Sequence, residues 1–163
     1  DVLLAMFLHG SQFTREEKLA NYEYYEPRCM HESSLSPSIH SILAAELGRQ
    51  EDALKFFEQA TRLDLDDYNR NTWQGLHTTS MAGAYMNIVY GFGGMRSDGE
   101  LPSFDPVLPD TWQRLRFRVP VQGSGIELDV RQDKATARLV KGEPVRVVLR
   151  GKPVEVGEGG VES

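Results

Sequence analysis

Apolar residues recur at helical spacing from Asp1 to about Gly94, and the breaks between them carry helix caps, not hairpin turns. Thr14 opens one predicted helix as its cap, with Glu17 three residues on as the partner of a capping box, and Pro27 follows its end near Tyr25. Ser36 before Pro37 predicts a capping hydroxyl ahead of a proline at the first helical position. The apolar stripe Ile39, Ile42, Leu43, Leu47 then runs to Gly48. A third helix is predicted over 51–63. A fourth, over 79–89, is rich in small residues (Ser80, Ala82, Gly83, Ala84), which suits an inner helix that neighbouring backbones approach closely.

From Leu115 the period changes to two, through Phe117, Val119 and Val121 and then Ile126, Leu128 and Val130. Turn residues at 123–125, 133–134, 141–143 and 151–152 divide this part into about five short antiparallel strands. The pattern gives an α+β chain with three regions: helical hairpins over 1–95, a proline-bearing linker over 96–110, and a small antiparallel β-sheet domain over 111–163 whose last residues, 157–163, are expected to be disordered. The stretch from Ala53 to Ala60 looks like the second helix of a tetratricopeptide repeat. No second copy follows at the period of about 34 residues such arrays need, so paired helices are expected and a repeat scaffold is not.

Composition narrows the function. A 163-residue chain with 40% hydrophobic residues can bury a core, and a formal charge of −6 leaves no basic cluster for a nucleic acid or an anionic membrane. The single cysteine, Cys29, excludes an internal disulfide and a cage of several thiolates, in keeping with a cytoplasmic, reducing location. The apolar run 2–8 is too short to span a bilayer and reads as a helix that continues upstream chain, so the sequence is expected to be a fragment.

Several polar groups invite chemical readings. Asp64, Asp66, Asp67, Asn69 and Asn71 suggest a calcium loop, but the spacing puts Thr72 and Thr78 where glycine and the closing glutamate belong, so a hydrogen-bonded interhelix loop is expected. His9, His31, His40 and His77 lack the paired spacing of a zinc site. No metal is expected, and His40 reads as a packing histidine. His31, Glu32, Ser33 and Ser34 precede a helix start, as do His77, Thr78 and Thr79, and amide hydrogens and hydroxyls at such places hold anions. On spacing alone the over-capped turn is the favoured reading of each.

The blocks Tyr25-Glu-Pro27, His31-Glu-Ser-Ser-Leu-Ser-Pro37, Asp64-Leu-Asp-Asp-Tyr-Asn69, Gly75-Leu-His77, Ser80-Met-Ala-Gly83 and Tyr90-Gly-Phe-Gly-Gly94 resemble glycoside hydrolase family 65. That family comprises maltose, trehalose, kojibiose and nigerose phosphorylases with related acid trehalases. The resemblance implies that the helical hairpins are the end of an (α/α)6 barrel. It implies an inverting reaction in which inorganic phosphate, a co-substrate and not a cofactor, attacks an α-glucosidic disaccharide to give β-glucose 1-phosphate. Ser33, Ser34 and His77 match phosphate-holding positions, with His31 and Thr78 as weaker candidates. The general acid belongs upstream, so no catalytic residue is assigned here. The expected partners are the disaccharide, phosphate, the upstream part of the same polypeptide and a second copy of the parent as a homo-oligomer. Two other readings stay open: a trehalase-like hydrolase, for which Glu32 is the tempting carboxylate, and a noncatalytic helical and β interaction module. Lacking the acid, the isolated chain is expected to be inactive, and measurable phosphorolysis by the purified chain would overturn that expectation.

Overall fold

The computed structural model describes residues 2–31 and 33–163, and they form two compact units that meet in sequence at Gly91 and Phe92. The first holds five α-helices among the described residues: α1 (Val2–Leu8), α2 (Arg15–Tyr25), α3 (Ser36–Glu46), α4 (Gln50–Arg62) and α5 (Thr78–Met86). With the strands of the second unit the class is α+β. No helix among the described residues is long and apolar enough to cross a membrane.

The centre of the helical unit is α3, which buries Pro37, Ser38 and every residue from His40 to Ala45. A helix apolar or small on all sides must be surrounded. α1 presents Leu3, Met6 and Phe7 inward, with Phe7 edge-on to Tyr90 at 5.4 Å, while Leu4 and Leu8 stay exposed. The capping box at the start of α2 is formed as predicted: Glu17 N–H donates to Thr14 Oγ1 at 3.2 Å and Thr14 N–H to Glu17 Oε2 at 2.8 Å. α2 is tied to α3 by Lys18, nearly buried, whose ammonium meets Glu46 Oε1 at 2.5 Å.

The helix after Ser36 begins differently from expectation. Leu35 is the cap residue, without a side-chain cap, and Ser36 and Pro37 are already helical. The reason is local: Leu35 N–H donates to Ser33 Oγ at 3.3 Å and Ser38 Oγ donates to Leu35 O at 3.2 Å, so neighbouring serines serve the turn and the helix starts earlier. The small-residue helix also ends early, passing at Asn87 into a π-helical turn, Asn87–Phe92, that buries Val89 and Phe92.

In the second unit, β3 (Leu115–Val121), β4 (Ser124–Val130) and β5 (Ala135–Lys141) form an antiparallel meander whose alternate residues are buried. Two expectations are corrected. The stretch 157–163, expected to be disordered, contains β8 (Val161–Glu162), which completes the order β3-β4-β5-β8, because β5 would otherwise leave an edge of unpaired backbone groups. The expected linker 96–110 contributes to a second sheet: β1 (Met95–Arg96) pairs with β2 (Ser103–Phe104), which runs parallel to β6 (Val145–Leu149), itself paired with β7 (Lys152–Val156). Gly94 enters this sheet at φ 62°, where an added Cβ would stand 2.1 Å from Asp105 O. Only glycine fits that approach.

One charge organises the outer face of the meander. Glu127 on β4 accepts from Arg116 at 2.7 Å, Arg118 at 2.9 Å and Arg138 at 3.0 Å, from the strands on both sides. These bonds pull its carboxyl from 4.5 down to about 2. Since the folded value is the lower one, the stabilisation is complete above about pH 4.5 and is lost as pH falls through about 2. Urea unfolding should show the gap between wild type and Glu127→Gln at its widest near neutral pH and narrowing toward pH 2; a gap independent of pH would contradict the assignment.

Candidate functional site

The interhelix contacts of α3, α4 and α5 decide where their ends lie. α3 and α4 form a hairpin through Gly48, whose φ of 78° closes the turn as Arg49 N–H reaches Ala44 O at 2.8 Å. Ser41 Oγ donates across the hairpin to Ala53 O at 2.8 Å, and Ser80 Oγ on α5 donates to Ala60 O at 2.8 Å. α5 packs on α3 where Gly83 faces Ser38: a Cβ at Gly83 would lie 2.3 Å from Ser38 Oγ.

These three contacts make α3 and α5 run in the same direction, both antiparallel to α4. Ser33 and Ser34 lie four to five residues before Ser38, and His77 lies six before Gly83. Ser33 and Ser34 thus precede the start of α3 and His77 the start of α5, toward the same end of the helix pair.

His77 caps α5 and is held by Asp64 from the end of α4. Its backbone N–H donates to Asp64 Oδ2 at 2.8 Å and its Nδ1 meets Asp64 Oδ1 at 2.5 Å. A donor Nδ1 fixes the ring and leaves Nε2 for a ligand. The hydrogen bond from the His77 ring holds the Asp64 carboxyl below the usual carboxylate range. The neighbouring acids are engaged elsewhere, Asp66 with Arg62 at 2.7 Å and Asp67 with the Thr72 hydroxyl at 2.9 Å, as a hydrogen-bonded loop requires. Asp64 was missed as a functional residue because it lies thirteen positions before His77; its sequence signals were membership of the acidic block and of the family block Asp64–Asn69.

Of the other candidates, Ser33 and Thr78 are exposed and Ser34 is half-buried. Glu32, the carboxylate of the hydrolase reading, lies outside the described residues. His31 turns inward. At φ 52° its ring packs 4.5 Å from His40 and 4.6 Å from Phe56, beside Cys29. His40 is a buried packing histidine, as expected, and burial together with the neighbouring His31 pushes its pKa down to about 4. The expectation that the histidines stand too far apart to share a site is thus corrected for this pair, because the reversed backbone at His31 folds the loop back over α3.

Gly83→Ala should lower stability by about 1–3 kcal/mol by overpacking the α3–α5 contact. Adding Ser38→Ala, which removes the atom nearest the new methyl, should restore part of the loss in urea denaturation. Full additivity of the two changes would refute the contact.

The chain's relatives match both of its units. Residues 1–86 match the glycosyl hydrolase family 65 central catalytic domain and residues 95–156 the C-terminal domain of that family. Maltose phosphorylase of Bacillus subtilis is 46% identical over 154 residues, covering 94% of this chain and 20% of that protein. Alpha,alpha-trehalose phosphorylase of Thermoanaerobacter brockii is 43% identical, covering 99% of this chain and 21% of that protein. Kojibiose phosphorylase of Halothermothrix orenii is 35% identical, covering 96% and 21%. A solved structure, a putative kojibiose phosphorylase from human microbiome, superposes with a TM-score of 0.92 at 43% identity, over 100% of this chain and 24% of that one. The chain spans about a fifth of the length of the curated relatives it matches. With one family's models covering both its helical and its β unit, the chain belongs to glycosyl hydrolase family 65.

Proposed function

We propose that this chain is the phosphate-holding C-terminal portion of an inverting disaccharide phosphorylase. The observation that carries the reading is the His77 imidazole, oriented by Asp64 at the start of α5; the reading brings the Ser33–Ser34 loop, which precedes the parallel α3, to the same anion. Hydroxyls, the amide ends of two helices and the His77 ring, which donates from Nε2 in its imidazolium form while Nδ1–H is held by Asp64, are a donor set suited to an oxyanion. The names of the similar proteins, phosphorylases of maltose, trehalose and kojibiose, support the same class.

In this reading His77, Ser33 and Ser34 hold inorganic phosphate, with Thr78 at the margin. One phosphate oxygen attacks the anomeric carbon of the glucosyl unit while a carboxylic acid from the upstream chain protonates the departing oxygen on the opposite face. The glycosidic bond breaks as the new C–O bond forms, giving β-glucose 1-phosphate and a free sugar. The donors limit the repulsion between the dianion and its surroundings and fix the line of attack. The helices form the last part of an (α/α)6 barrel, and the exposed Trp73, Leu76 and Leu65 are surface that the upstream barrel covers. Phosphate is a co-substrate, no cofactor takes part, and the parent works in the cytoplasm as a homo-oligomer.

In the full-length protein, maltose, trehalose and kojibiose supplied with phosphate should show sugar 1-phosphate release for at least one of them. His77→Asn or Ser34→Ala should reduce kcat/KM for phosphate by about 10- to 100-fold, the worth of a hydrogen bond to a charged group. Asp64→Asn should act in the same direction but less. Release of free glucose without phosphate would instead favour the hydrolase.

A further inference from the structure

We propose that Cys29, His31 and His40 form a binding site for a divalent transition-metal ion of the zinc class. One ligand atom from each lies within 4.8 Å of the other two. The cluster stands apart from the anion-holding residues and does not depend on the phosphorylase reading.

The second observation is what these side chains lack. His40 is 6% exposed and its Nδ1 is buried without a hydrogen-bond partner; His31 Nδ1 is likewise buried and unpartnered, and its Nε2 faces the Glu26 carboxylate only at 3.6 Å. Ring packing accounts for the carbon faces, through His31 on Phe56 at 4.6 Å and His40 on Phe56 at 5.3 Å. It leaves the nitrogens unexplained, and polar atoms are not buried bare without cost. One nitrogen from each imidazole, converging beside a thiol, is an arrangement a metal ion satisfies.

The donor set selects the ion. One thiolate and two imidazoles are too soft for magnesium or calcium and suit zinc or its neighbours. A tetrahedral ion with bonds of about 2.0–2.3 Å spaces its ligand atoms about 3.3–3.6 Å apart, so the cluster must close by about 1 Å. His40 is fixed on α3, whereas Cys29 and His31 lie on the loop between α2 and α3, where such a closure is cheapest. Glu26 Oε1 stands 3.6 Å from His31 Nε2, placed as a fourth ligand or as the orienting carboxylate of that imidazole. Cys29 is half-exposed, which gives the ion a way in. Lys55, with its ammonium 4.9 Å from the Phe56 ring, is the cation nearby, and the Glu26 carboxylate opposes its charge.

The test uses the full-length protein stripped with chelator. Zn2+ titrated by calorimetry should bind one equivalent that Cys29→Ser weakens by about tenfold or more. Co2+ should give a thiolate-to-metal charge-transfer band that is absent from the Cys29→Ser difference spectrum. His31→Asn, a change in the loop that leaves α3 intact, should weaken Zn2+ similarly, and circular dichroism identical to wild type keeps the variants interpretable. Alkylation of Cys29, mapped by peptide mass spectrometry, should slow at least about tenfold with Zn2+ bound. No zinc binding, or zinc binding and Co2+ spectra unchanged by Cys29→Ser, would overturn the site.

Discussion

Two serine hydroxyls set the frame of the helical unit. Ser41 and Ser80 each donate to a backbone carbonyl of α4, at Ala53 and Ala60, two helical turns apart. A buried hydroxyl that loses its acceptor costs stability, so neither α3 nor α5 can slide along α4 without breaking a bond. Apolar packing alone would be more tolerant of slippage. Gly83 completes the constraint, because only the absence of a Cβ lets α5 come down on Ser38. The placement of His77 at the start of α5, less than one turn before Ser80, follows from this register.

The β unit uses charge for the same purpose. Glu127 faces Arg118 on one neighbouring strand and Arg138 on the other as direct cross-strand partners, with Arg116 on the diagonal. A slip of one residue would turn the carboxylate toward the core and expose Ile126, Leu128 and Val130 in its place. In both units a polar group among small or apolar neighbours specifies alignment, while hydrophobic burial supplies the driving force.

This division explains what could be read in the sequence. Long periodic segments were legible: the helices, the capping box at Thr14 and Glu17, the meander from Leu115, and the α+β class. Elements without a period of their own were not. β1, β2 and β8 have two residues each, too few to alternate, and exist because a neighbouring strand offers them a partner. Ser36 misled because its neighbours Ser33 and Ser38 took the hydrogen bonds of the turn. The family blocks assigned a role to Ser33, Ser34 and His77, but not to Asp64, whose part depends on a loop bringing a carboxylate back to the start of the next helix.

The loop between α2 and α3 joins the two polar clusters of the helical unit. His31 turns inward to Cys29 and His40, and two residues later Ser33 is at the surface, with the reversal made at a positive φ. A non-glycine residue holds such a conformation only where its surroundings enforce it. On the inner side the His31 ring packs against Phe56 and His40, contacts that favour this turn. Fixing the backbone of a free loop costs about 1–2 kcal/mol per residue. In the proposed reading, anything that tightens the inner cluster meets part of that cost before an anion arrives at Ser33 and Ser34.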